Sequence, residues 1–214
     1  MPESERTCSA NSERKKVGIM GGTFNPIHNG HLKLAESAMD SFALDEVLFI
    51  PSGISWLKAG QDIPKSRIRC EMTALALEGN ARFKLSKIEA DRAGNSYSYE
   101  TILALKEQNP LHDYYFIMGA DSLMNLEKWR CPEILLRECV ILAAVREDVN
   151  HQQLERQIAH LKEHFVCDIR FLSMPRFDIS STMIRQLAAE GKEICDHVPE
   201  KVARYIREKH LYQK

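Results

Sequence analysis

Short apolar runs alternate with longer amphipathic stretches along most of the chain. The short runs are typical of buried strands. They predict strands over residues 17–20, 47–50, 83–88, 114–118, 140–145 and 169–172. The longer stretches have apolar residues at helical spacing, with glycine or proline near several of their ends. They predict helices over residues 30–42, 66–78, 99–108, 151–164, 181–190 and 199–209.

This alternation predicts an α/β fold, a doubly wound parallel sheet with helices on both faces. In such sheets ligands bind beyond the carboxyl ends of the strands, near the point where the strand order reverses. Two polar, glycine-bearing segments come directly after predicted strands, at residues 21–26 and 119–122. We therefore expect the functional site to lie where these two segments meet.

Composition favours one globular domain. The chain has 214 residues, of which 44% are hydrophobic and 28% charged, and a chain of this length buries roughly two-thirds of its unfolded surface. We expect a single domain over residues 17–214. The first sixteen residues are polar and charged, without the apolar core of a signal peptide. They predict a disordered extension over residues 1–16.

Charge and cysteine usage exclude several classes of protein. A net charge of −1 argues against a nucleic-acid partner bound mainly through phosphates. The longest apolar run, residues 139–145, is too short for a membrane span. The six cysteines form no CxxC pair, so reduced thiols are expected and no metal site is predicted. These features predict a cytoplasmic protein with neither a nucleic-acid nor a membrane partner.

The segment GGTFNPIHNGHL, residues 21–32, carries the strongest chemical pattern. Two glycines after a strand let the backbone approach a phosphate closely. His28 and His31 bracket the start of a helix, where free N–H groups and a partial positive charge favour anions. The segment is neither a GxGxxG fingerprint nor a P-loop. Taken separately, the glycines fit an ordinary turn and the histidines fit a solvent-facing pair.

A second segment, ISSTMIR at residues 179–185, also combines a helix start with side chains that could bind phosphate. Ser180 or Ser181 is a suitable N-cap for the predicted helix. Arg185 lies about one turn further on, so hydroxyls and a guanidinium could hold a second phosphate. On its own the segment fits an ordinary helix cap followed by a surface charge.

These two segments together resemble the signature motifs of the bacterial nicotinate-nucleotide adenylyltransferases. That family belongs to the HxGH nucleotidyltransferase superfamily, which has a Rossmann-like fold. The resemblance runs from about residue 17 to residue 212. The superfamily shares the HxGH pattern, whereas four further matches are specific to the family. These matches are residues 96–101, residues 117–122, Trp129 and the Leu-Tyr pair at 211–212.

The resemblance implies a role for each matching residue on the nucleotide side. His28, His31 and Arg185 would be catalytic, acting on the phosphates of ATP. The remaining nucleotide-binding positions would be Gly21, Gly22, Thr23, Phe24, Gly119, Asp121, Ser180 and Ser181.

On the acceptor side, the resemblance implies that Trp129 stacks on a pyridine ring. Ser98 would lie near the nicotinate carboxylate through its backbone, and Lys58 would remain from the family's acceptor loop. Without the resemblance, Trp129 would be interpreted as a core aromatic residue. Asp121, on the nucleotide side, would likewise be interpreted as a helix cap.

The reaction implied is transfer of AMP from ATP to nicotinate mononucleotide, which gives deamido-NAD and pyrophosphate. An ionised phosphate oxygen attacks the α-phosphorus directly, so no protein nucleophile is needed. Mg²⁺ would bridge the phosphates of ATP, largely through water. The sequence leaves open a homo-oligomer and the choice between nicotinate and nicotinamide.

Two positions depart from the family pattern. The family usually has aspartate where Asn25 stands, and Pro-Pro-His-Lys where this chain has Ser-Trp-Leu-Lys at 55–58. Two alternatives therefore stay open. One is another HxGH adenylyltransferase, such as the phosphopantetheine type, and the other is a nucleotide-binding module that has lost catalysis.

Overall fold

The chain forms a six-stranded parallel sheet covered by helices. The computed structural model describes residues 14–53, 63–146, 151–174 and 178–213. The strands are β1 Lys16–Gly22, β2 Glu46–Pro51, β3 Phe83–Leu85, β4 Asp113–Gly119, β5 Val140–Arg146 and β6 Asp168–Met174. The helices are α1 Asn29–Phe42, α2 Ser66–Leu77, α3 Ser98–Gln108, α4 Ala120–Met124, α5 Pro132–Glu138, α6 His151–His164, α7 Ser181–Ala189 and α8 Glu200–Glu208.

The order of the strands in the sheet is β3-β2-β1-β4-β5-β6, and every neighbouring pair is parallel. The chain therefore builds outward from β1 in one direction, crosses over, and builds outward from β4 in the other. This is the doubly wound order, whose switch point lies between β1 and β4. The predicted fold class is confirmed.

Each face of the sheet has its own hydrophobic core, because successive strand residues point to opposite faces. In β1, Met20 belongs to the core beneath α1, α2, α7 and α8, whereas Ile19 belongs to the core beneath α3, α4, α5 and α6. In β4, Ile117 and Phe116 divide in the same way. The central strands are thus buried on both sides, which explains their continuous apolar runs.

The structure differs from the sequence predictions mainly in short elements. Strand β3 ends at Leu85 rather than at residue 88. Helices α4 and α5 and a 3₁₀ turn at Leu126–Lys128 were not predicted. They contain five, seven and three residues, which is too short for a helical period to stand out.

The start of the fold also differs. Residues 1–13 of the predicted extension lie outside the described residues. Residues 14–16, however, are part of the fold. Lys16 begins β1, and Arg14 donates hydrogen bonds of 2.9 and 2.6 Å to the two carboxylate oxygens of Asp113.

Candidate active site

A cavity of about 380 Å³ opens at the carboxyl ends of β1 and β4, at the switch point of the sheet. Its volume suits a small-molecule ligand. Seven of the residues predicted from the sequence line it together, although they come from distant parts of the chain. These are Gly21, Gly22, Thr23, His31, Ser98, Gly119 and Trp129.

Phe24 does not line this cavity, contrary to the prediction. Its side chain is buried in the core at 3% exposure, and its ring meets His31 edge-on with the ring centroids 5.1 Å apart. Its backbone has a φ of 46°, a left-handed conformation that costs energy for a non-glycine residue. The Phe24 ring therefore packs against the His31 ring, and its backbone changes the direction of the chain after β1.

The two histidines of the motif stack on each other, with ring centroids 3.7 Å apart. The backbone N–H of His28 donates to Nδ1 of His31 over 3.2 Å. Because Nδ1 of His31 accepts a hydrogen bond, a neutral His31 carries its proton on Nε2. His31 lines the cavity, so the motif presents an oriented imidazole there.

His28 is buried, with 7% of its surface exposed, and it does not line the cavity. Burial, assisted by the nearby His197, lowers the pKa of His28 to about 4. Its Nδ1 has no hydrogen-bond partner among the described residues. His28 is therefore a neutral ring at physiological pH, packed against the back of His31.

This lowered pKa gives a pH prediction for stability. The ordinary histidine pKa is about 6.5, so as the pH falls the unfolded chain binds a proton before folded His28 does. The contribution of neutral His28 to the free energy of unfolding is therefore fully present above about pH 6.5. It is lost as the pH falls from there through the folded pKa of about 4. Between pH 7.5 and pH 5, the wild type should lose about 2 kcal/mol more unfolding free energy than His28→Gln.

Urea unfolding of the two proteins at several pH values measures this difference. Other titrating groups are common to both proteins and cancel in the comparison. Parallel pH profiles for the two proteins would contradict the lowered pKa.

Gly30, the glycine of HxGH, is required by this packing. A Cβ atom at position 30 would lie 3.1 Å from Nδ1 and 3.2 Å from Cε1 of His28. Such contacts are tighter than normal and would push the ring away from its place. Gly30 therefore allows the two imidazoles to stack.

Helix α7 docks its N-terminus on the backbone of the first motif. Ser180 is the N-cap, and its hydroxyl accepts a hydrogen bond from the Met183 N–H at 3.2 Å. The Ser181 hydroxyl donates to the Pro26 carbonyl over 2.9 Å. Arg185 donates to the Asn25 carbonyl, also over 2.9 Å. The two motifs therefore meet, but Ser180, Ser181 and Arg185 lie beside the cavity rather than in its lining.

Tyr212 adds a further support to this loop. Its hydroxyl donates to the side-chain oxygen of Asn25 over 2.7 Å. The position where the family usually has a carboxylate thus bears an amide whose oxygen still accepts a hydrogen bond. Asn25 consequently joins Tyr212 through its side chain and Arg185 through its carbonyl.

Arg69 was not predicted, yet it is the most buried cation of the site, at 2% exposure. Its guanidinium donates to four backbone carbonyls at distances between 2.5 and 3.0 Å. These acceptors belong to Thr23, Ser52, Gly53 and Pro64. Arg69 therefore ties the loop after β1 to the loop after β2.

Glu89 was also missed and is the one carboxylate among the described residues that line the cavity. It is 7% exposed and accepts a hydrogen bond of 2.8 Å from the Thr101 hydroxyl. Burial raises the pKa of this carboxyl. Its position after the short strand β3 gave no sequence signal, because a single glutamate there is usually solvent-exposed.

Trp129, which also lines the cavity, is half-buried and meets Phe116 edge-on at 6.2 Å between ring centroids. Gly119, the N-cap of α4, lines the cavity. Asp121, the second residue of α4, is exposed and outside the lining. Lys58 lies outside the described residues, as does Leu57. The cavity is thus lined both by glycines and a histidine of the first motif and by aromatic side chains.

Comparison with known proteins identifies the family. A family model described as Cytidylyltransferase-like matches residues 19–187. Over 192 residues the chain is 41% identical to a protein of Lachnoclostridium phytofermentans named "Probable nicotinate-nucleotide adenylyltransferase", and the match covers 90% of this chain and 96% of that protein. The chain belongs to the nicotinate-nucleotide adenylyltransferases.

Solved structures agree on the fold of this family. The nicotinic acid mononucleotide adenylyltransferase of Plasmodium falciparum, solved in complex with NaAD, superposes with a TM-score of 0.76. It is 18% identical, and the match covers 93% of this chain and 98% of that one. A Clostridium acetobutylicum relative with the same curated name is 39% identical over 92% of this chain and 99% of its own length.

Two further properties concern the described residues as a whole. They contain no helix that is long and apolar enough to cross a membrane. Within the same residues, no group of three or more histidine, cysteine, aspartate or glutamate side chains could hold a metal ion.

Proposed function

We propose that the chain transfers the AMP unit of ATP to nicotinate mononucleotide, producing deamido-NAD and pyrophosphate for NAD biosynthesis. One observation carries the proposal. A single cavity is lined both by Gly21, Gly22 and His31 of the first motif and by Ser98 and Trp129. This arrangement suits two nucleotides that must meet phosphate to phosphate.

In the proposed reaction, a phosphate oxygen of nicotinate mononucleotide attacks the α-phosphorus of ATP. The new bond is P–O–P, and the bond between the α-phosphorus and its bridging oxygen breaks, releasing pyrophosphate. The acceptor oxygen is already ionised at neutral pH, so alignment and charge stabilisation are the main tasks of the protein.

His31 supplies a donor aimed into the cavity. Because His28 N–H occupies its Nδ1, the Nε2–H of His31 would be the group that donates to a phosphate oxygen. His28 contributes as the stacked ring that orients His31. A direct contact between His28 and the phosphates of ATP stays a prediction. Gly21, Gly22 and Thr23 bring the backbone close to the nucleotide.

Arg185, Ser180 and Ser181 are proposed to hold the triphosphate where α7 begins. The N-terminus of α7 favours anions, and the arginine remains charged at any physiological pH. In this structure Arg185 binds the Asn25 carbonyl, which keeps it beside the motif loop. Phosphate binding would add to that contact or replace it.

On the acceptor side, Trp129 would stack on the pyridine ring and Ser98 would contribute backbone donors from the start of α3. Gly119 would allow close approach of the nucleotide at the cavity wall. The contacts expected of Asp121 with adenosine and of Lys58 with the acceptor stay predictions.

Mg²⁺ is proposed to arrive with ATP as part of the substrate. Since the described residues offer no ready cluster of metal ligands, the ion would be held by phosphate oxygens and water. It would offset the negative charge of the pyrophosphate end.

Pyrophosphate release with Mg²⁺-ATP tests the function directly. Nicotinate mononucleotide, nicotinamide mononucleotide and phosphopantetheine serve as parallel acceptors. We expect strong release with the nicotinate acceptor. Release with phosphopantetheine alone would keep the superfamily and overturn the acceptor, whereas ATP binding without release from any acceptor would favour a module that has lost catalysis.

A further inference from the structure

Arg130 is the only lysine or arginine among the described residues that line the cavity. Its Cζ lies 5.2 Å from the centre of the Tyr97 ring, and the side chain is exposed to solvent at the cavity wall. No carboxylate in the described parts of the chain forms a salt bridge with it. A cation at the cavity wall thus lies over an aromatic ring and has no anionic partner among the described residues.

The Tyr97 ring gives this guanidinium a defined position. A guanidinium over an aromatic face is attracted by the ring quadrupole. This contact does not neutralise the positive charge. Arginine in such a setting can present its planar fork to a carboxylate.

The N-terminus of α3 faces the same region. Tyr97 is its N-cap, and Ser98 and Tyr99 begin the helix. All three residues line the cavity, and the first N–H groups of a helix have no intrahelical acceptor. Backbone donors and the Arg130 side chain therefore converge on one part of the cavity wall.

Trp129 precedes Arg130 in the chain and lines the same cavity. If a pyridine ring stacks on Trp129, as the proposed function holds, a substituent of that ring lies within the reach of the neighbouring side chain. Glu89, the one acidic group in the lining, is buried and engaged by Thr101. Arg130 is therefore the charged side chain of the described lining that remains to bind an anion beside Trp129.

We propose that the Arg130 side chain binds the carboxylate of the pyridine ring and makes this chain prefer an acidic pyridine nucleotide to its amide. The inference rests on the proposed function and adds to it a residue that determines specificity. A neutral carboxamide gains much less from a guanidinium than a carboxylate does, because only the carboxylate forms a charge-assisted pair.

Arg130→Gln tests this proposal by comparing two acceptors. We expect kcat/KM for nicotinate mononucleotide to fall by about 10- to 100-fold, since a hydrogen-bonded charge pair is lost. The value for nicotinamide mononucleotide should change by less than about threefold, since the amide never formed that pair. Arg130→Lys keeps the charge without the fork and should fall between wild type and Arg130→Gln.

The control is Lys128→Gln, which removes a positive charge two residues away. Lys128 is exposed, bonds the side chain of Asn125 over 2.9 Å, and does not line the cavity. It should leave the selectivity unchanged. Equal losses with both acceptors in Arg130→Gln would overturn the proposal and assign Arg130 to the shared phosphate, and so would unchanged selectivity.

Calorimetric binding of the two mononucleotides separates this proposal from the proposed function. A wild type that binds the nicotinate form more tightly, with the preference lost in Arg130→Gln, supports the role of Arg130 even if no pyrophosphate is released. A wild type that turns over both acceptors while Arg130→Gln keeps the wild-type preference overturns the role and leaves the function standing. Absence of binding by either mononucleotide overturns both.

Discussion

His31→Ala is expected to lower kcat for pyrophosphate release by about 100- to 1,000-fold, the usual cost of losing one preorganised donor to a developing negative charge. The ring of His31 lines the cavity, and the bond from His28 N–H to its Nδ1 leaves Nε2–H as the donor. Alanine removes that donor. The KM for nicotinate mononucleotide should change little, because the proposed contact is with the phosphates of ATP.

The folded state should survive this substitution. His31 is half-buried, and the main structural loss is the acceptor for the His28 N–H, worth about 1 kcal/mol as a helix-cap contact. Thermal unfolding separates this small loss from the catalytic one. His164→Ala, at an exposed position of α6, is the control and should keep full activity. Turnover of His31→Ala within a few-fold of the wild type would refute the phosphate role.

Arg69→Met is expected to have the largest effect on stability, a loss of about 3 kcal/mol or more of unfolding free energy. Arg69 is 2% exposed and donates to four carbonyls in the loops after β1 and β2. Methionine fills part of the volume but donates nothing, so buried carbonyl groups lose their partners. Activity should fall as well, since the Thr23 carbonyl is in the motif loop.

Arg67→Met supplies a matched control, because it makes the same change two residues earlier on α2. The Arg67 side chain is 89% exposed, and its partner is Glu71 one turn along the helix at 2.9 Å. Such exposed pairs contribute about 0.5 kcal/mol or less. Urea unfolding of both variants measures the contrast. Similar losses from the two substitutions would mean that the four carbonyl contacts of Arg69 contribute little.

The sheet and the long helices could be predicted from the sequence because their apolar periods are long and regular. The six strands and helices α1, α2, α3, α6, α7 and α8 were expected near their observed places. Helices α4 and α5 were not, since each spans two turns or fewer. Strand β3 was predicted to run to Ile88 because this apolar residue follows Leu85 closely, whereas the register with β2 ends at Leu85.

Site residues could be predicted from the sequence where they belong to a local motif that is typical of one function. Gly21, Gly22, His31 and Trp129 line one cavity. Arg69 and Glu89 could not be found in this way, because a charged residue on a helix or after a strand is normally solvated. Only the tertiary fold shows that carbonyls of two loops surround Arg69. Phe24 was misplaced for a related reason, since its neighbours line the cavity while its own side chain enters the core.

The loop at Asn25 and Pro26 is held by residues that the ribosome adds much later. Ser181, Arg185 and Tyr212 follow their partners in this loop by 155, 160 and 187 residues. A nascent chain that has emerged through β5 already possesses both walls of the cavity but none of these three contacts. Newly synthesised protein should therefore acquire activity late in translation, and incomplete translation products should not consume ATP.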